Sequence, residues 1–354
     1  MKKYQVYECG MNYNHAGSKA TADIEKTASA MGYETIEVRM MSDINSLSHK
    51  LKRQIRWVRD WQKVYSTVEN NSIVLLQCPF HHRQINRKSV LMKLKKNKNV
   101  RYICVIHDVE KLRGFRYNKY YEEEFAFMME IADAIIVHND VMKQYFRQFD
   151  IPESRLISLE IFDYLQEPKE HSLPAFEKSI TVAGNLDTSK CGYISGLAEL
   201  KNIEVNLYGP NFDERMADQP NIHYHGSFPS SEIPDHLTKG FGLVWDGAGI
   251  HGCTGESGQY LRYNNPHKLS LYLSSGLPAV IWKGAAEAQF VEKNGVGITV
   301  DDLAELDQVL GNMTETEYTH LAENTAALSE KLRNGRFAES AISKAATILE
   351  EGLR

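Results

Sequence analysis

Short runs with strand-like patterning alternate with stretches of helical periodicity along the whole chain. Tyr4 to Tyr7, Thr35 to Val38, Ser72 to Leu76, Tyr102 to Ile106 and Ala134 to Val137 are compact runs bounded by polar turns. Those at 72 and 102 are mostly apolar, the pattern of strands buried on both faces of a parallel sheet. Helical spacing fills the intervals at Ser18 to Met31, around residues 50–63 and 83–96, at Tyr120 to Ala132 and at Asp140 to Phe149. This alternation predicts a parallel, doubly wound sheet. Ile151-Pro152 and the irregular, charged stretch from Phe162 to Pro174 predict a linker. The alternation then restarts. Ile180 to Ala183 stops at Gly184-Asn185, Val205 to Leu207 at Tyr208-Gly209-Pro210, and Ile222 to His225 at Gly226. Pro229-Ser230-Ser231-Glu232 opens another predicted helix, Gly242 to Trp245 is a strand, and the last two helices, around Thr316 to Leu332 and Arg336 to Leu353, have no strand between them. The expected division is 1–162, 163–335 and a terminal helix at 336–354. Two such sheets leave a cleft between the carboxyl ends of their strands, where open α/β sheets bind ligands.

The stretch from Tyr263 to Trp282 carries the most chemistry. Asn265 is placed to cap a helix and Pro266 to be its first residue, so free backbone N–H groups would point at an anion in front of the helix. His267 and Lys268 sit in that first turn, where positive charge opposes the helix dipole unless something strongly negative lies ahead. A diphosphate satisfies the condition, although an ordinary capped helix has the same signature. Gly276 ends the helix and Ala279 to Trp282 forms a buried strand.

Length and composition fit two soluble domains: 354 residues, 42% hydrophobic and 25% charged. No signal sequence or membrane-spanning run is expected. Five scattered cysteines without a C-x-x-C spacing point to a reducing cytoplasm and away from a zinc or disulfide framework. The net charge of −5 is uneven, since residues 41–101 hold fourteen Lys and Arg against Asp43, Asp60 and Glu69. Lys50, Lys52, Arg53, Arg56, Arg59 and Lys63 share one expected helix with Leu51, Ile55, Trp57 and Trp61, and a second expected helix carries Arg83, Arg87, Lys88, Lys93, Lys95 and Lys96. Such helices either present a solvated face or rest on an anionic membrane surface. Nucleic acid is not an expected partner, because the rest of the chain is acidic and has no reader motif.

The order Ala183-Gly184-Asn185-Leu186, Tyr208-Gly209-Pro210, Gly226-Ser227-Phe228, Asn264-Asn265-Pro266-His267-Lys268, Gly276-Leu277-Pro278 and Gly295-Val296-Gly297 resembles bacterial GT-B glycosyltransferases. Among these it is most similar to β-1,6-galactofuranosyltransferases and to the glucosyltransferases that extend N-acetylglucosamine on serine-rich-repeat adhesins. His107-Asp108 and Leu112-Arg113 extend the likeness into the first half. The resemblance implies two facing Rossmann-like domains, a UDP-sugar held by the C-terminal one and a glycan acceptor, on protein or lipid, entering from the N-terminal one. It also implies transfer without a metal or other cofactor, a last helix that crosses back onto the N-terminal domain, and self-association into a homo-oligomer. The expected location is cytoplasmic, with peripheral contact at the inner membrane face through the basic helices.

Transfer needs a stabilised leaving diphosphate and an acceptor hydroxyl relieved of its proton. For the diphosphate the expected groups are Lys268 with the backbone at Asn265 to Lys268, His267 in the same turn, and Lys190 from the Gly184-Asn185 loop, although Lys190 is equally well placed to be a solvent lysine. Tyr208 either packs on the uracil or ribose or is a core-edge tyrosine. A second phosphate-side element is the loop from Asn12 to Lys19, with Asn14, with Gly17 for close approach and with Ser18 as a helix cap. It matches neither a Walker loop nor the dinucleotide glycine fingerprint, which argues against ATP-driven and nicotinamide chemistry and against a dinucleotide-dependent epimerase. For the base, Asp108 takes the proton directly or orients His107 to do so, unless the pair only caps a turn; His15 is a further candidate. The glycine-rich stretch from Asp246 to Tyr260 suggests a mobile lid. Its Asp246, His251 and Cys253 lack the compact spacing of a metal site. A non-catalytic sugar-nucleotide-binding or partner protein with the same fold remains the alternative.

Overall fold

A computed structural model of the protein describes residues 1–10, 16–41, 44, 46–114, 116–167 and 172–351. Two parallel sheets of six strands each organise the chain. The first contains β1 (Lys3–Cys9), β2 (Glu34–Arg39), β3 (Ile73–Cys78), β4 (Arg101–Ile106), β5 (Ala134–Val137) and β6 (Leu156–Ser158), in the order β2-β1-β3-β4-β5-β6. The second contains β7 (Ala175–Ala183), β8 (Glu204–Tyr208), β9 (Ile222–Tyr224), β10 (Lys239–Val244), β11 (Ala279–Trp282) and β12 (Gly297–Val300), in the order β12-β11-β10-β7-β8-β9. In each sheet the order runs outward in both directions from an interior strand, the doubly wound arrangement that leaves a ligand crevice at the carboxyl edge. This is the GT-B architecture expected from the sequence.

The helices of the first half are α1 (Ala16–Ala30), α2 (Leu47–Thr67), α3 (Arg87–Lys98), α4 (Glu110–Arg113), α5 (Lys119–Ile131) and α6 (Asp140–Phe146). Period-two alternation in the strands sorts the core. Val74, Leu76, Tyr102, Cys104 and Ile135 face Trp57 and Trp61 of α2, Leu91 and Leu94 of α3 and Met128 of α5. Ile73, Leu75, Ile103, Val105 and Ile136 face Ile24 and Ala28 of α1 on the opposite side. Each sheet face is thus closed by helices, which is why the strands read as apolar runs.

The second half carries α7 (Thr188–Cys191), α8 (Tyr193–Leu197), α9 (Gly255–Tyr260), α10 (His267–Ser274), α11 (Ala288–Asn294), α12 (Leu306–Asn312), α13 (Glu315–Arg333) and α14 (Arg336–Glu351). Helix α14 leaves the second sheet and buries Ala338, Ala341, Ile342, Ala345 and Leu349 against the first. Asp163 holds its start, accepting hydrogen bonds from the N–H groups of Phe337 (3.3 Å) and Ala338 (2.7 Å).

Several expectations need correction. Strand β6 was not anticipated, because three residues give too little pattern beside Pro152. The segment from Phe162 is no loose linker at its start: Phe162, Asp163 and Tyr164 are buried. The helix expected after Pro229 is a 3-10 turn at Ile233–His236. Ser18 lies inside the first turn of α1 and is not its cap.

Candidate active site in the interdomain cleft

Helix α10 is fixed by its own buried face. Leu269, Tyr272 and Leu273 point into the core, and the Tyr272 hydroxyl accepts a hydrogen bond from the Ala183 N–H at the end of β7 (2.9 Å). Glycine at 242 makes room for that ring, since a Cβ there would lie 2.1 Å from it. The start of α10 is thereby held against the carboxyl ends of β7 and β10. Lys268 runs beside Gly184, whose missing Cβ would lie 3.6 Å from the lysine Cε. Its ammonium donates to Asp246 Oδ1 (3.1 Å) and lies 3.5 Å from the Trp245 carbonyl. Burial alone would lower this ammonium, yet the Asp246 carboxylate and neighbouring groups hold it well above its ordinary value. Lys268 is a permanent cation at the glycine-lined edge of the second sheet.

Beside it, Gly184 and Gly209 pack backbone to backbone. Gly209 has φ +142°, and a Cβ there would stand 1.7 Å from the Gly184 carbonyl oxygen, so no other residue fits without moving the strand end. Asn185 is exposed and its Oδ1 accepts from the Asp187 N–H (3.1 Å) and Asn211 Nδ2 (2.8 Å). Tyr208 is buried with its ring stacked on His225 at 4.7 Å, the core-edge arrangement. Lys190 belongs to α7, and its side chain lies outside the described residues.

The expected cap at Asn265 is not observed. Helix α10 begins at His267 with Pro266 at the cap, and the Asn265 amide is buried in the seam between domains. It donates to the His138 carbonyl (2.7 Å) and accepts from Asn139 Nδ2 (2.7 Å), while the Asn265 N–H donates to His138 Nδ1 (2.9 Å). Two groups from the end of β5 thus take the place of the helix that Asn265 was expected to cap. His267 is also not a cation: burial, with Lys19 and His107 adding, pushes its imidazole down to about 3. Only Lys268 brings positive charge to that turn.

Across the cleft, His107 and Asp108 follow β4. His107 stacks on Phe162 at 5.5 Å and its Nε2 lies 2.7 Å from Gln77 Oε1. Gln77 is oriented by donating through its Nε2 to the Thr21 carbonyl (3.1 Å), so the proton of the neutral imidazole sits on Nε2. Burial, with His138 and His81 adding, pushes His107 down to about 3. Asp108 is different. Burial raises its carboxyl to about 6 against the pull of Arg113, whose Nη1 donates to Oδ2 at 2.6 Å. Tyr260, from the second domain, hydrogen-bonds the same carboxyl group and accepts from the Val109 N–H (3.0 Å). Next to Asp108 opens a cavity of about 440 Å³, walled by Pro79, Phe80, Val109, Tyr121 and Phe125.

The glycine-rich stretch ends in α9, where a Cβ at Gly258 would lie 2.6 Å from the Cys253 backbone, whereas Gly249 and Gly255 have nothing within 4 Å. Cys253 and Tyr260 are buried. His251 lies 2.6 Å from Asp302 Oδ2, and Asp246 accepts from Lys268. Asp302 also caps the turn after β12 through the Ala304 N–H (2.9 Å).

The loop expectations at Asn14 and His15 lie outside the described residues, and Gly17 and Ser18 fall in the first turn of α1. In the same turn, Lys19 donates to the Leu165 carbonyl (2.8 Å) and lies over the Tyr164 ring, which itself sits 5.5 Å from His267. The starts of α1 and α10 therefore meet around His267. Sequence reasoning missed His138, Asn139 and Glu287. The first two follow β5 as His107-Asp108 follows β4, a repetition of position that would have found them. Glu287 lies 3.4 Å from Asn139 Nδ2, and burial keeps its carboxyl well above the ordinary range.

Family models described as the N-terminal and C-terminal domains of glucosyltransferase 3-like proteins match residues 3–161 and 180–345. A β-1,6-galactofuranosyltransferase of Escherichia coli, WbbI, is 30% identical over 76% of this chain and 78% of its own length. Glucosyltransferase 3 of Streptococcus gordonii is 23% identical over 94% of this chain and 95% of its own. Among solved structures, Anabaena HepE in complex with UDP shares the fold at a TM-score of 0.60 and 12% identity, covering 98% of this chain and 100% of that one.

Proposed function

The chain belongs to the glucosyltransferase 3-like family of glycosyltransferases, and from that premise we propose that it moves a hexose, glucose or galactofuranose, from a UDP-sugar to a hydroxyl of a glycan carried on protein or lipid. The observation that carries this is the start of α10, where Lys268 stands beside Gly184 at the ends of two strands stripped of side chains. Free N–H groups at the helix start and a permanent ammonium together stabilise the charge that grows on a departing diphosphate. Protein groups thus do what a metal ion does in other transferases. Complexes with UDP among proteins of this fold and sugar transfer by the sequence relatives support the donor class.

On the other side of the cleft Asp108 takes the acceptor proton. Its carboxyl titrates at about 6, close to the pH at which a base is most effective, and Arg113 and Tyr260 hold it in place. His107 is neutral and tied to Gln77, and it supports the wall behind Asp108. The cavity beside Asp108, lined by apolar rings together with Arg87, Glu110 and Glu124, gives the acceptor sugar a face to lie against.

Lys268→Ala tests the donor half. UDP affinity measured by calorimetry is expected to fall at least about tenfold, the loss of one charge-assisted contact. Unaltered affinity in a folded variant removes Lys268 from the site. Release of UDP from UDP-glucose or UDP-galactofuranose in the presence of glycan acceptors separates a transferase from a protein that only binds the nucleotide sugar.

A further inference from the structure

Helix α2 is apolar on two sides. Trp57, Trp61 and Val64 face the core, as an amphipathic helix requires. Leu47, Leu51 and Ile55 recur every fourth residue along a second stripe that flanks the core face, and Leu47 is 86% and Leu51 63% exposed. Ile85, 71% exposed, joins the stripe from the segment after β3. That segment is clamped to α2 by the Gln54 amide, which donates to the Arg83 carbonyl (2.7 Å) and accepts from the Ile85 N–H (3.1 Å). The other end of the helix surface is fixed by Trp57, whose indole N–H donates to the Arg39 carbonyl (3.1 Å). Four large aliphatic side chains are therefore held outward by rigid backbone. Nothing in folding explains their exposure, and contiguous patches of this kind mark contact surfaces.

Lys50, Lys52, Arg59 and Lys63 are exposed on the same helix, whose one acid is Asp60. The second basic helix behaves otherwise. In α3, Arg87 is buried against Glu124, Lys95 bonds Asp133 (2.7 Å), and Lys98 donates to the carbonyls of Tyr65 (2.6 Å) and Val68 (2.7 Å). These three cations hold the fold together, whereas Lys52, Arg59 and Lys63 of α2 border an apolar stripe.

We infer that the α2 face, with Leu47, Leu51, Ile55 and Ile85, docks the protein on an anionic lipid bilayer. Aliphatic side chains enter the headgroup boundary while the flanking Lys and Arg meet lipid phosphates. A two-fold contact between copies gathers two sets of these cations into one interface, whereas an anionic bilayer meets them with opposite charge. The start of α2 and Ile85 both lie at the carboxyl edge of the first sheet, after β2 and β3, so docking brings the acceptor-side rim of the cleft to the membrane.

Sedimentation with phosphatidylcholine vesicles, with and without phosphatidylglycerol, tests this independently of sugar transfer. The full chain is expected to sediment with the anionic vesicles only and to be released by salt. Each cation near such a surface contributes about fivefold, so Lys52→Glu with Arg59→Glu lowers partitioning by roughly twenty-fivefold or more. Leu47→Ser, Leu51→Ser and Ile55→Ser together lower it at least about tenfold. All these positions are exposed, and an unchanged melting temperature shows that the variants are folded. Failure to sediment, equal sedimentation with neutral vesicles, or variants that bind like the parent overturns the inference. So does an oligomer, seen without vesicles by sedimentation velocity, that the triple serine variant dissociates, which assigns the face to a second copy.

Discussion

The two sheets share a topology and meet at one cleft, but their strands end in different materials. In the second sheet β7, β8, β9 and β10 run out within three residues into Gly184, Gly209, Gly226 and Gly247, all with positive φ. In the first, β1 also runs out into a positive-φ glycine, Gly10, but β4 and β5 run out into His107-Asp108 and His138-Asn139. Glycine ends let a ligand approach backbone N–H groups and a helix start; side-chain ends supply groups that titrate and orient. On the proposed function, one wall of the cleft holds a charged leaving group and the other handles a proton. The distinction can be tested from either side.

Gly209→Ala should have the largest effect. Its Cβ would stand 1.7 Å from the Gly184 oxygen at φ +142°, and relief requires parting the ends of β7 and β8. A loss of at least about 3 kcal/mol is expected, read as a lowered melting temperature together with weaker UDP binding. Full UDP affinity in this variant would mean that the glycine edge serves packing only.

Asp108→Asn probes the opposite wall. Turnover should drop by about 10²–10⁴ while UDP affinity stays unchanged. The parent enzyme adds a pH signature. Because burial raises the Asp108 carboxyl to about 6, the base is ionised above that pH and lost below it, so kcat/KM should fall as pH drops through about 6. A flat profile across that range, or an Asn variant with normal turnover, would take proton transfer away from Asp108.

Much of this arrangement was legible in the sequence, for identifiable reasons. Strands closed on both faces announce themselves as apolar runs, and the stops at Gly184, Gly209 and Gly226 mark strand ends because glycine is the residue such positive-φ positions favour. What failed was non-local. Asn265 before Pro266 has the local chemistry of a cap, yet its amide is taken by His138 and Asn139, over a hundred residues earlier in the chain. Asp163 looked like linker because the helix it caps begins at Arg336. His267 seemed cationic because burial has no local signature.

The smallest expected effect is the one that links the walls. Tyr260 is supplied by the glycine-edged domain, yet its hydroxyl meets Asp108 and the Val109 N–H in the other. Tyr260→Phe keeps the ring and removes the oxygen, leaving a buried N–H without that acceptor, at a cost of about 1–3 kcal/mol. It also removes a hydrogen bond that favours the ionised Asp108, so the carboxyl should titrate higher and the acid limb of kcat/KM should move up in pH. A substitution in the donor domain would then shift the titration of a base in the acceptor domain. If stability falls but the acid limb stays in place, Tyr260 joins the domains without tuning Asp108, and the division of labour between the two sheets is stricter than their contacts suggest.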